Sequence, residues 1–297
     1  MKYNIKLIKT IKAHNNWINS IKLFPSGNII SVSNDKSIKI YDFNLKLLQS
    51  IKNAHDDYIT SLDIKDENNF VTCSWDHNIK TWIKTKNKFK LNQILKNTHS
   101  DWINQVQYYL NENLISCSND CTIKIWEENN KKYQIQTILN VSDWVGSILI
   151  LEDKNILITS GYDGTKFWNI NNFELIINFS NINCGYKNAL KRIDEDRIIV
   201  GGDDDEIMII ISIKERKIIK QIQNGFKCWG ICIIEELGLF LIGGVSKDIK
   251  IYRSDNYECI TIIKDAHNDN ILGISQLNNG LILSYGKDKI IKVWSFK

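Results

Sequence analysis

Apolar and polar residues alternate along this chain in short runs separated by clusters of Asn, Asp, Ser and Gly. Residues 91–126 show the pattern. LNQIL alternates, a His follows, and INQVQYY alternates again. LNEN is a polar turn, LISCS a short apolar strand, SND a tight turn and CTIKIW a last alternating strand. Period-2 runs of about 5–7 residues bounded by turn formers predict antiparallel β-strands. No useful window has helical periodicity. Four such strands predict one sheet, and the whole phrase repeats. A strand-like run ends in an aromatic or bulky apolar residue at Tyr41, Trp82, Trp126, Trp168, Ile210, Tyr252 and Trp294, with successive gaps of 41, 44, 42, 42, 42 and 42 residues.

A period of about 40–45 residues with this content is the signature of a β-propeller blade. Seven copies predict an all-β fold over residues 1–297: a single closed seven-bladed β-propeller of four-stranded antiparallel blades. After Trp294 only Ser295, Phe296 and Lys297 remain, so the seventh copy lacks its outer strand. Residues 3–11 read as an outer strand with no blade before them, and KLIKTIKAH matches the KLLQSIKNAH that follows the first blade. The N-terminal strand is therefore expected to close blade seven, which removes an exposed sheet edge.

The phrases HNNWIN…ISVSNDKSIKIYD, AHDDYIT…VTCSWDHNIKTW, THSDWIN…ISCSNDCTIKIW and AHNDNIL…LSYGKDKIIKVW make the chain resemble the WD-repeat family across residues 3–297. The resemblance implies a hydrogen-bonded set of His, Ser or Thr, Asp and the strand-end aromatic within a blade. Those sets are His14, Ser31, Asp35 and Tyr41; His55, Thr72, Asp76 and Trp82; His99, Ser116, Asp120 and Trp126; His267, Ser284, Asp288 and Trp294. Blade four keeps Thr159, Asp163 and Trp168 but has Val141 in place of His. Blade five has Asn183, Val200, Asp204 and Ile210, and blade six Phe226, Ile242, Ser246 and Tyr252. His, Asp and Ser together suggest a hydrolase triad, but repetition once per blade is what a scaffold needs. No catalytic residue, metal or cofactor is expected.

Three residues after each His position stand Trp17, Tyr58, Trp102, Trp144, Tyr186, Trp229 and Asn270. In propellers that this chain resembles, that position opens the first strand on the partner-binding face. An aromatic collar is expected there, with Trp75 and Tyr162 from the turns added outside it. Aromatics dominate binding hot spots, and their faces suit an Arg or Lys side chain. Asp203 and its neighbours in GGDDDE are placed to draw such a cation. Two residues beyond the collar, Asn19, Thr60, Asn104, Gly146, Asn188, Ile231 and Leu272 should point the same way, Asn104 and its like lending hydrogen bonds below the rim. The competing reading is a collar that packs on itself and plugs the channel. Lysines recur before the strand ends (Lys39, Lys80, Lys124, Lys166, Lys250 and Lys292) and are read as stems packed between blades with heads in water.

A net charge of +4, spread over a chain with 24% charged residues, argues against a dedicated nucleic-acid binder. Seven cysteines without a CxxC pair read as buried thiols in a reducing compartment. With no apolar leader and no long apolar run, the expectation is a cytoplasmic or nuclear protein off the membrane, monomeric alone and part of a hetero-complex. The expected function is a non-catalytic interaction scaffold or adaptor for a protein or peptide. The alternative is a substrate-recognition subunit of a ubiquitin ligase, which would want an arginine cluster at the mouth; Arg192, Arg197, Arg216 and Arg253 do not fall there.

Overall fold

The computed structural model describes residues 5–296 apart from Asn111, Gly185, Lys187 and residues 203–205, so Asp203 and Asp204 lie outside the described residues. The strands form seven four-stranded antiparallel sheets, the blades of a β-propeller fold. They fall into two compact units. Residues 19–181 carry the first four sheets; residues 1–18 and 182–297 carry the last three and the N-terminal strand.

Each sheet is a meander. In sheet two the strands Ile59–Ile64, Asn69–Ser74, Ile79–Thr85 and Lys88–Leu95 pair in chain order. Sheet seven is made of Ile271–Gln276, Ile282–Gly286 and Ile290–Phe296, and its fourth strand is Ile5–Lys12, running from Ile5 opposite Phe296 to Lys12 opposite Ile290. The second strand of sheet six, Leu239–Gly244, is buried at every residue, and that of sheet two, Asn69–Ser74, at every residue but the first. They read as apolar runs rather than alternations because both faces are covered by neighbouring sheets. The fourth strands are the free edges. Lysines punctuate edges such as Ile5–Lys12 and Lys217–Gln223, where they discourage pairing with another chain.

Apolar clusters fill the spaces between consecutive sheets. Trp82 packs with Ile40, Ile59 and Phe70 between sheets one and two; Trp126 packs with Val71, Ile79 and Val106 between two and three. Trp168 joins Ile125 and Ile148 between three and four, and Trp294 joins Leu241 and Ile251 between six and seven. Phe70 stacks on Trp82 at 5.8 Å, and in sheet six Phe240 stacks on Tyr252 at 5.1 Å.

First strands approach closely in sheets six and seven. A Cβ on Gly230 would lie 2.7 Å from the Gly273 Cα, backbone against backbone. Gly230→Ala is expected to cost roughly 1–3 kcal/mol, because two strands must part to admit one methyl group. Urea denaturation measures it; an unchanged midpoint would refute the close approach.

Candidate functional site

The polar sets of sheets two, three and seven share one geometry. In sheet three the Trp126 Nε1–H donates to Ser116 Oγ (2.9 Å), Ser116 Oγ lies 2.8 Å from His99 Nε2, and His99 Nδ1 lies 2.9 Å from Asp120 Oδ2. The ionised carboxylate can only accept, so the proton of the neutral imidazole sits on Nδ1; Nε2 then accepts from the serine hydroxyl, whose oxygen takes the indole N–H. The corresponding distances are 2.9, 2.8 and 2.8 Å through Trp82, Thr72, His55 and Asp76. Through Trp294, Ser284, His267 and Asp288 they are 2.8, 2.6 and 2.8 Å. Ser116 and Ser284 have no exposed surface, so neither hydroxyl reaches a substrate.

Burial lowers the pKa of His55 and of His99, more than their aspartates raise it. Both imidazoles are thus neutral at pH 7. Burial pushes the Asp76 carboxyl up, but hydrogen bonds from His55 and from the Asp56 and Asn78 amides outweigh it and bring it to about 2. Asp120 and Asp288 are lowered by the same balance. In sheet one, Ser31 lowers the Tyr41 hydroxyl, but burial dominates and raises it to about 12; His14 belongs to the other unit and is buried there.

Where histidine is missing, a lysine takes over. Asp163 of sheet four pairs with Lys166 Nζ at 2.6 Å, both side chains nearly buried, and accepts the Ser142 N–H at 2.9 Å. The other recurrent lysines depart from the expectation of solvated heads. Lys80, Lys124 and Lys292 donate to the carbonyls of Ala54, Thr98 and Ala266 at 2.8, 2.7 and 2.6 Å, and Lys250 donates to that of Asn224 at 2.5 Å. Each partner sits 26 residues earlier, where the chain enters the blade, and a buried ammonium needs such an acceptor.

The collar residues Tyr58, Trp102 and Trp144 immediately precede the first strands of sheets two to four. Their carbonyls accept the N–H groups of the turn residues Trp75, Asn119 and Tyr162 at 3.0, 3.0 and 3.1 Å. This backbone pairing brings collar and turn rings together. Trp75 stacks on Trp102 with centroids 3.9 Å apart and planes within 8°, and also meets Tyr58 at 5.0 Å; Trp144 stacks on Tyr162 at 4.5 Å. Trp102 nevertheless keeps 41% of its surface exposed and Tyr162 37%. In the other unit Tyr186 stacks on Trp229 at 4.2 Å, and Trp17 is 39% exposed.

Two residues of the expected face are placed differently. In sheet six the N–H of Val245 bonds to the carbonyl of Lys227, so Lys227 holds the collar position and Trp229 lies two residues further along, only 7% exposed. With no histidine in that blade, Phe226 is a misleading anchor for the count. Asn104 does not lend its amide to a ligand: Nδ2 donates to Asn119 Oδ1 at 2.8 Å and to the Val145 carbonyl of the next sheet at 2.7 Å. The pairing register breaks between Ile103 and Gln105, leaving Asn104 as the extra residue of a bulge that turns its side chain toward the neighbouring sheet. Asn19 and Thr60 make the same kind of bond, to the carbonyls of Ile59 and Ile103 in the next sheet, whereas Asn188 donates past sheet six to the Leu272 carbonyl of sheet seven.

A recurring acid was overlooked in the sequence. Asp57, Asp101 and Asp143 stand directly before Tyr58, Trp102 and Trp144, and each accepts the following N–H at 2.7–2.8 Å. The dipeptides DY, DW and DW carry that signal. Burial and then the charges of Asp143, Asp120, Asp163 and Asp101 push up the Cys121 thiol, so the field beside these rings is negative. Among the described residues no group of three or more His, Cys, Asp or Glu is arranged to hold a metal ion, and no helix is long and apolar enough to cross a membrane.

Comparison with known proteins matches residues 5–42, 45–82 and 89–127 to the WD domain, G-beta repeat. The chain is similar to Lissencephaly-1 homolog 1 of Paramecium tetraurelia (38% identity, 25% of this chain, 19% of the relative). It is also similar to nuclear distribution protein nudF 2 of Talaromyces marneffei (35% identity, 28% and 16%) and to the WD repeat-containing protein 55 homolog of Drosophila persimilis (32%, 28% and 17%). The chain thus spans less than a fifth of the length of each of these relatives.

Proposed function

We propose that this chain, a β-propeller of seven sheets whose residues 5–42, 45–82 and 89–127 match the WD domain, G-beta repeat, is a non-catalytic scaffold that holds a protein partner by a basic segment. The segment lies against the rings of Tyr58, Trp75, Trp102, Trp144 and Tyr162 in the unit of residues 19–181. The observation that carries this reading is the Trp75–Trp102 stack with Asp101 at its side. Trp102 and Tyr162 are each held by a stacked neighbour yet keep exposed surface for a guest, so they lose little side-chain entropy on binding. Aspartates beside exposed π-faces favour Lys and Arg over Glu and Asp. A cytoplasmic setting is part of the same reading and accords with seven free thiols. A phosphate-reading role is disfavoured at Arg197, whose guanidinium is committed to Asp194 and Tyr257.

The test is a titration of tryptophan emission with a Lys/Arg-rich peptide and with a Glu-rich peptide of equal length. The basic peptide should change the emission, and its affinity should fall as salt shortens the Debye length from about 10 Å toward 3 Å. Equal binding of the acidic peptide would overturn the reading.

A further inference from the structure

Lys287 occupies the turn position of sheet seven, where Trp75 and Tyr162 stand in sheets two and four. Its N–H bonds to the Asn270 carbonyl at 2.9 Å, the same pairing that fixes those aromatic residues. Its side chain then takes a course unlike that of the other recurrent lysines. The ammonium lies 4.0 Å from the centre of the Trp17 ring and 4.9 Å from that of Trp229. Trp229 is backed by Tyr186 at 4.2 Å, which holds the indole in place.

Lys80, Lys124, Lys250 and Lys292 each rest on a carbonyl. Lys287 has no carboxylate within ion-pair distance among the described residues, and two π-faces are what receive its charge. Burial lowers its pKa, and Asp269 restores only part of that. A cation held by rings alone is held by a non-directional attraction that any cation of suitable size satisfies. A primary ammonium also gives up strong hydration to enter such a site, whereas a methylated ammonium gives up little.

We propose that Trp17 and Trp229 form a cation site which Lys287 fills in the free protein and which a methylated ammonium group of a partner enters by displacing it. Lys287 is thus a competitor built into the turn, and it sets a threshold that weakly bound cations do not pass. The site is formed within one unit and does not depend on the basic-segment reading of Trp102 and its neighbours.

The probe is Nα-acetyl-trimethyllysine amide, titrated by calorimetry against the full chain. Lys287→Ala should bind it at least tenfold more tightly than the wild type, and Lys287→Arg should bind it no more tightly than the wild type. The gain should vanish in Lys287→Ala combined with Trp17→Ala, a half-exposed position whose loss leaves the core intact. Trp229 is buried and is not used as a test position. As an independent readout, the ε-methylene protons of Lys287 should be shifted upfield by the rings in wild type, and the shift should collapse in Trp17→Ala. Equal affinity of wild type and Lys287→Ala, retention of the gain without Trp17, or an unshifted ε-methylene signal would each overturn the proposal.

Discussion

Asp120→Ala is expected to destabilise the fold by about 3–5 kcal/mol, the larger of the two strongest effects that the structure implies. Four donors converge on this carboxylate. His99 Nδ1 lies at 2.9 Å, the Ser100 and Thr122 amides at 3.0 Å, and the Thr122 hydroxyl at 2.6 Å. The His99 side chain is fully buried and the Asp120 side chain is 5% exposed, so little water replaces the lost acceptor. The stranded imidazole then disturbs Ser116 and, through it, the Trp126 indole. Urea denaturation gives the value, and a change below about 1 kcal/mol would refute the role of the set.

The same sets give the protein a pH dependence. His55 and His99 have pKa values below 6.5 in the folded chain, so their contribution is complete above that pH and declines as the unfolded chain takes up protons below it. Asp76, at about 2, and Asp120 and Asp288, also lowered from 3.8, add a second decline below about pH 4. Both declines have the same sign, so the urea midpoint should fall steadily from pH 7 to pH 3. A midpoint flat between pH 8 and 5 would contradict the neutral imidazoles.

Trp102→Ala with Trp144→Ala is expected to show the opposite signature. The affinity for a basic peptide should fall roughly a hundredfold, about 3 kcal/mol, while the thermal midpoint moves little. Trp102 is 41% exposed and lies at a strand end, so its removal opens no cavity in the core. What is lost beneath it is its stack with Trp75, and Trp75 keeps its contact with Tyr58. Stacking of this kind contributes about 0.5–1.5 kcal/mol, which bounds the stability effect. Peptide binding unchanged in the double variant would remove these rings from the partner-binding face.

The sheets were legible because period-2 alternation and a strand-end aromatic residue recur in the repeats, with bulky Ile210 keeping the place in the fifth. The fourth strand of sheet seven was legible as well, since residues 6–14 repeat the text of residues 46–55. The site was less so. The bulge at Asn104 breaks the alternation that the sequence displays, and no residue type announces it. The carbonyl partners of Lys80 and Lys124 lie in loops 26 residues upstream, a distance no local pattern encodes. In sheet six the missing histidine leaves Phe226 and Trp229 as false landmarks, two residues out of step. The aspartates beside the rings stand in the sequence as DY and DW pairs, a two-residue signal that is weak beside the acidic run at residues 203–206.

The origin of sheet seven bears on how the protein is made. Strand Ile5–Lys12 leaves the ribosome well over 200 residues before its partner Ile290–Phe296. At about 5–20 residues per second the early segment waits roughly 15–60 s with no strand to join. Ile5, which packs against the cluster around Trp294 in the finished sheet, stays uncovered for that interval. The nascent chain is therefore expected to gain from chaperones that shield apolar segments until the partner strand emerges.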